Sequence, residues 1–432
     1  MNILNIQNLY LKSGKACKAQ MMKMARKTAS TKTRKHNTSL VIKNAGLIEK
    51  GKHVKRHITI QDRFIKKISS SFSNARNIID VKGKLVLPGL IDGHVHMREP
   101  GFEYKEDFFS GSKAAAAGGV TTILDMPNTN PQTTDIAALH RKRELARKSI
   151  VNYGFHFGTL GNNIEQIKLA WKENIASVKI YMDETTGRMT VHDEKAIRNI
   201  MSASKIVCTH AEGPSMEKAV KIAKSLRANL HLCHLSSKSE MDFLKKNKSR
   251  GISAEVAPHH LFLTSKDTNQ YNTMKPMLKS ELDQKALWLA LAEGIIDTIA
   301  TDHAPHTAAE KEFNTTFGVP GLETMLPLLL DAANRKMISL DKIIKLTSLN
   351  PAKIFSIKTR GQLAPGYYAD LTVVDMDMVK EVENSRLFTK CGWSPFAGRK
   401  LKGWPVMTFV NGQLVFENGE MHHFLGEEVN YG

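Results

Sequence analysis

"LVLPGLIDGHVHMREPG", residues 85–101, runs an apolar stretch into His94, His96 and Arg98 and closes on a Pro-Gly turn signal. Residues 85–95 read as one buried strand, because the run is short, largely apolar and bounded by turn residues. Side chains two apart on a strand share a face. His94, His96 and Arg98 are therefore expected side by side at the strand's carboxyl end. A His-x-His pair alone fits a packed core pair as well as a metal site, so the rest of the chain has to decide.

Seven more apolar runs follow, and most end in polar residues: "GVTTILDMPN" (119–128), "YGFHFGTL" (153–160), "ASVKIYMDE" (176–184), "KIVCTHAE" (205–212), "NLHLCHLS" (229–236), "GISAEVAPHH" (251–260) and "IDTIATDHAPH" (296–306). Helical patterns such as "PSMEKAVKIAKSLRA" (214–228) and "ELDQKALWLALAEGI" (281–295) lie between them. Strands alternating with helices predict a parallel α/β sheet, and eight such units predict a (β/α)8 TIM-type barrel. An open doubly wound sheet is disfavoured, since no Gly-rich dinucleotide loop follows the first strand. Barrel active sites lie at the carboxyl ends of the strands. His94, His96, Asn128, Lys179, His210, His234 and Asp302 all fall at or near those ends, a distribution that core packing does not explain.

The flanks read differently. "SLVIKNAGLI" (39–48), "HITIQDRFIKKI" (57–68), "ADLTVVD" (369–375) and "WPVMTFVNGQLVFENGE" (404–420) are strand-like, and Asn411-Gly412 is a hairpin turn. The expected organisation is a basic extension at 1–38, a small β-sandwich domain formed by both chain ends (39–85 and 361–425) and a metal-dependent barrel at 86–360.

At 432 residues, 41% hydrophobic and 24% charged, the chain suits one large domain plus a small one. No apolar stretch nears the roughly 18 residues of a membrane span. Four scattered cysteines suggest no disulfide framework. A cytoplasmic setting is expected. The net charge of +20 is uneven: ten cations, Lys12 to Lys43, precede the first acid, Glu49. That segment reads as a disordered tail, a targeting peptide, a nucleic-acid arm or the product of an early start codon. With no nucleic-acid motif elsewhere, the charge does not set the function, and neither nucleic acid nor membrane is an expected partner.

Neutral imidazoles and carboxylates suit zinc. Four histidines (His94, His96, His210, His234) and Asp302 serve two metals only if something bridges them. Lys179 lies inside an apolar strand, where a bare ammonium is costly. It either snorkels or pairs with Asp183, or it is N-carboxylated by carbon dioxide, giving an anion with two oxygens that bridges two cations. A buried lysine of depressed pKa is the form that reacts this way. Two such metals activate water and polarise a carbonyl. Asp302 can ligate one of them and take the proton, and His306 is placed to touch substrate.

With "PGLIDGHVHMREPG", "GGVTTILDMPNTNP", "VKIYMDETTG", "EVAPHHLFL", "TDHAPH" and "GVPGLETMLPLLL" in view, the chain resembles the dihydroorotases of the cyclic amidohydrolase superfamily across 39–425. The resemblance implies two Zn2+ per subunit, with His94 and His96 on the first, carboxylated Lys179 as bridge, and His210 and His234 on the second. It implies Asp302 as metal ligand and general acid/base. It assigns Arg98 and Asn128 to the substrate carboxylate and lines the pocket with His306 and the backbone near Pro320 and Gly321. A guanidinium suits that contact because it grips a carboxylate in bidentate fashion. "DETTGR" (183–188) matches a mobile loop, with Thr185 and Thr186 as candidate contacts. Lys275 departs from the Arg or Asn frequent at its position. Cys233 and Glu255 match a third zinc site of some relatives, or else a packed thiol and a solvent-facing acid. The implied reaction is the reversible hydrolysis of L-dihydroorotate to N-carbamoyl-L-aspartate in pyrimidine synthesis. A homodimer is implied, with room for association with aspartate carbamoyltransferase.

Two classes of rival stand against this. Allantoinases and hydantoinases share the superfamily, but their substrates lack the carboxylate that Arg98 would hold. A catalytically dead scaffold would have lost metal ligands, and none is missing.

Overall fold

The computed structural model describes residues 39–72, 75–185, 187, 189–313 and 316–432. The basic extension 1–38, together with every reading made of it, lies outside the described residues. Eight parallel strands, β6 (Leu90–Val95), β7 (Val120–Asp125), β8 (Asn152–Gly158), β9 (Ser177–Tyr181), β10 (Val207–His210), β11 (Leu230–Leu232), β12 (Ile252–Val256) and β13 (Thr298–Ile299), pair in chain order. A bridge between Val95 and His303 joins the last strand segment to the first. This is the expected (β/α)8 barrel. Nearly every residue of these strands is buried. Both faces of a parallel sheet are covered, so the strands are apolar without alternation.

The two helices foreseen from periodicity are present at Pro214–Leu226 and Glu281–Glu293. Each stops where the chain turns left-handed, at Arg227 (φ 53°) and Gly294 (φ 79°). Among the other barrel helices are α1 (Phe108–Ala117) and α2 (Ile136–Ala146). Asp107 opens α1 with a capping box in which Ser110 reciprocates.

The 85–95 run is not one strand. Leu85–Pro88 forms β5 of a second sheet, and the barrel strand starts afresh at Leu90. Gly89 lies at the break, packed so closely on Thr121 that a side chain there would collide with it. The proline ahead of it ends β5. Apolarity alone could not reveal this division, since both halves are buried.

The second sheet draws on both flanks: β1 (Ser39–Glu49), β2 (Lys52–Gln61), β3 (Phe64–Ser69), β4 (Asn77–Asp80), β5, β14 (Leu371–Glu381), β15 (Lys400–Val410), β16 (Gln413–Glu417) and β17 (Glu420–Met421). The early strands join the late ones through β5, which pairs parallel to β1 and antiparallel to β14. One hydrogen-bonded path thus runs through all the strands except β4, which pairs with β1 at its side. Ile42, Ile58, Ile60, Leu371, Val373 and Phe409 share its core. Asn411 (φ 51°) and Gly412 (φ 76°) make the β15–β16 turn, both left-handed as such a hairpin requires. Among the described residues, no helix is long and apolar enough to cross a membrane.

Candidate metal and substrate site

The carboxyl ends of the barrel strands surround a cleft lined by His94, His96, Arg98, Asn128, His210, His234 and Asp302, with Tyr181, Thr185, Lys275, Ala304, Phe317 and Gly318. His94, His96 and Arg98 all face the cleft as expected, though only His94 lies within β6. His96 and Arg98 stand past the strand's end, and Arg98 reaches the cleft through a left-handed backbone (φ 63°). His234 (φ 35°) and Asp302 (φ 46°), each just beyond a strand, do the same. Non-glycine residues seldom adopt this conformation.

Asp302 is the hub. Its Oδ1 lies 3.1 Å from His96 Nε2 and 3.4 Å from His94 Nε2. Across the cleft, His210 Nδ1 and His234 Nε2 are 3.0 Å apart. Burial drives His96 down to about 4 and His210 to about 3, and holds His234 well below the ordinary histidine range. These imidazoles are neutral at physiological pH and keep lone pairs free. Burial opposes ionisation of Asp302, but the surrounding His94, His96 and His234 outweigh it and hold the carboxyl well below its usual value.

Divalent metal fits this donor set. His94, His96 and Asp302 offer three ligand atoms within 4.8 Å of one another. His210 Nε2 and His234 Nδ1 are buried without a hydrogen-bond partner among the described residues, which native structures rarely tolerate unless something else satisfies them. Asn128 Oδ1 accepts from His96 Nδ1 at 2.7 Å, so the amide expected on substrate also orients a candidate ligand.

Lys179 is fully buried on β9 beneath the cleft. It does not pair with Asp183, whose carboxylate accepts from Glu212 N and Ser215 Oγ. Its Nζ donates to Cys233 Sγ at 3.0 Å. Burial depresses the ammonium, while a Cys233 thiolate would raise it enough to carry the balance above the ordinary lysine value. Burial also pushes the Cys233 thiol well above its own range. The sulfur is therefore neutral at physiological pH, which removes the largest influence that raises the lysine and leaves Cys208 and Glu255 to oppose burial.

Arg98 is buried and makes no ion pair among the described residues. Its Nε donates to Pro305 O at 3.0 Å, and its Nη2 lies 3.1 Å from His306 Nε2. His306 thus stands behind Arg98 and outside the cleft wall. Burial and the charges of Arg98 and Lys105 hold it neutral. Pro320 and Gly321 sit in a neighbouring recess, where Gly321 N donates to His303 Nδ1 at 3.1 Å. Phe317 and Gly318 line the cleft instead. Lys275 enters it with its ammonium 5.2 Å from the Phe317 ring centre. Thr185 lines it as well, while Thr186 and Arg188 of the same loop lie outside the described residues.

Glu255 is buried rather than solvent-facing. It forms a second close group with His94 and Cys233. Sequence reasoning missed Asp92, which accepts from His94 N and from Thr301 N and Oγ1 and so ties the first barrel strand to the last. Burial raises it to about 7. It also missed Tyr181 and His231. For Asp92 a signal existed: an acid in the middle of an apolar run.

The model of the amidohydrolase family matches residues 85–415. The chain belongs to the amidohydrolase family. Within it, the chain is 35% identical over 412 residues to the dihydroorotase of Methanosarcina acetivorans, covering 83% of this chain and 88% of that protein. It is 36% identical over 402 residues to the dihydroorotase of Pyrococcus furiosus, covering 88% and 94%. Among solved structures, the L-hydantoinase (dihydropyrimidinase) from Arthrobacter aurescens matches with a TM-score of 0.87 at 26% identity, over 91% of this chain and 100% of that one.

Proposed function

We infer that this amidohydrolase is a dihydroorotase that interconverts L-dihydroorotate and N-carbamoyl-L-aspartate as a step of pyrimidine synthesis. The observation that carries the reading is Arg98, a buried guanidinium beside the metal-type residues with no carboxylate ion pair among the described residues. A buried cation calls for an anionic partner, and dihydroorotate brings one carboxylate to the ring. Hydantoin and allantoin rings bring none, which sets the hydantoinase reading aside despite the likeness in fold. Lys275 adds a second cation to the same cleft.

His94, His96, His210, His234 and Asp302 would hold two zinc ions, bridged by Lys179 as its carbamate. When bound, the metals would polarise the ring amide carbonyl and supply activated water. The chain's own part begins with Asp302, whose carboxyl is held well below its usual value and so is ionised and able to take a proton. It takes one from the attacking water and delivers it to the ring nitrogen as the carbon–nitrogen bond breaks. Arg98 holds the carboxylate, so the scissile amide faces Asp302. Asn128 steadies His96, and His306 steadies Arg98.

Purified protein assayed side by side on dihydroorotate, carbamoyl aspartate, allantoin and hydantoin, with metal analysis, tests this reading. Turnover of the first two alone, with two zinc ions per chain, is expected. Preferential turnover of hydantoin would overturn the assignment.

A further inference from the structure

We propose that His231 is a positioning residue: it anchors Glu255, and Glu255 in turn fixes the ring and tautomer of His94. The inference rests on the reading of His94 as a metal ligand.

A continuous hydrogen-bond chain carries it. His94 Nδ1 meets Glu255 Oε1 at 2.8 Å, and His231 Nε2 meets Glu255 Oε2 at 3.1 Å. The backbone N of His234 donates to Oε1 at 3.2 Å, and His231 Nδ1 lies 2.9 Å from Ser253 Oγ. The strand register produces this order. His231 on β11 pairs with Ser253 on β12, and Glu255 lies two residues further along the same strand, on the same face. His94, Glu255 and His231 are each about 1% exposed, so no water competes for these bonds. The His231 ring is further held edge-on by Phe355, with centroids 5.4 Å apart.

An ionised carboxylate only accepts hydrogen bonds. Both facing nitrogens, His94 Nδ1 and His231 Nε2, therefore carry their protons. His94 is left with its Nε2 lone pair directed toward Asp302, the arrangement a metal requires. Without His231, Oε2 would be a buried oxygen with no donor, and the carboxylate would be free to turn away from His94. The rival use of Glu255, as ligand to a third metal with Cys233 and His94, gives His231 no part.

The test compares His231→Leu and His231→Gln in the full-length zinc-loaded protein, by competition with a chromophoric chelator and by steady-state kinetics. His231→Leu should bind zinc about 10- to 100-fold more weakly, the usual size of such a loss, and kcat should fall while KM holds. His231→Gln keeps an N–H donor and should recover most of both. Wild-type zinc affinity in His231→Leu, or equal losses in the two variants, would overturn the proposal. Loss of one zinc per chain in Cys233→Ser, with His231→Leu unaffected, would overturn it in favour of a third metal. If His231→Leu does not fold, Ser253→Ala removes the far hydrogen bond to His231, together with a long one to Leu230 O at 3.4 Å. A smaller loss of zinc affinity there supports the chain of contacts, and none overturns it. His94→Ala with unchanged zinc content would instead sink the metal-ligand reading itself.

Discussion

Lys142 and Lys179 are both wholly buried, yet their surroundings differ in kind. Lys142 reaches from α2 to the end of β7, where its ammonium donates to Asp125 Oδ2 at 2.7 Å and Met126 O at 2.8 Å. Asp125 Oδ1 accepts in turn from Met97 N at 2.7 Å. The pair thereby pins the segment between His96 and Arg98 against β7. Lys179 has a thiol at 3.0 Å and the Tyr181 ring 5.2 Å from its nitrogen, but no carboxylate ion pair among the described residues. A buried lysine matched by a carboxylate is electrically closed and serves the frame. One whose direct partner is a neutral sulfur has no carboxylate in contact among the described residues, and a carbamate on its own nitrogen would supply that negative charge.

Substitution should separate the two. Lys179→Ala should lower turnover at least about a thousandfold, some 4 kcal/mol of barrier, because the metals contribute transition-state stabilisation of that size. Metal content should drop with little change in the urea midpoint. A short carboxylic acid added to the assay should restore part of the rate, and near-wild-type turnover with full metal would end the bridging-lysine reading.

Lys142→Met should act on the frame. Stranding Asp125 as an unpaired buried charge costs about 3–5 kcal/mol, to be read from urea unfolding. Lys142→Met combined with Asp125→Leu should recover much of it, since replacing both partners removes the stranded charge. If the single variant is as stable as wild type, the contrast between the lysines fails.

Arg98→Met should sharpen the contrast from the substrate's side. Losing a charged hydrogen bond of about 1.5–3 kcal/mol predicts a ten- to hundredfold or greater fall in kcat/KM for dihydroorotate. A neutral cyclic amide should lose much less, with zinc unchanged. Equal losses on both would make Arg98 structural, like Lys142. The smallest effect is expected from removing residues 1–38. The first described strand begins at Ser39, and stability and turnover should stay within about 0.5 kcal/mol of the full chain. An insoluble truncation would show that the segment belongs to the fold.

The two lysines also mark what could be read from the sequence. Lys179 stood out because a charge inside an apolar strand breaks its pattern, and the histidines stood out because each ends such a run. The same logic located all eight barrel strands. Lys142 gave no such sign. It lies in the charged stretch "HRKREL" of a helix, where lysines ordinarily face water, and only the packing of that helix on β7 buries it. His231 sat in an apolar run that contained a more conspicuous histidine, and its meaning depends on register with Ser253. The 85–95 run hid a change of sheet, because burial leaves both halves equally apolar. Patterns along one strand were legible, whereas partnerships between elements required the folded chain.

The left-handed backbone at Arg98, His234 and Asp302 sets a conflict between endurance and chemistry. Each such residue strains the chain by roughly 1 kcal/mol or more, a strain that glycine largely escapes. A laboratory population selected only for surviving heat, with no demand for turnover, should accumulate glycine at positions 98, 234 and 302. Its members would grow hardier as their active sites emptied.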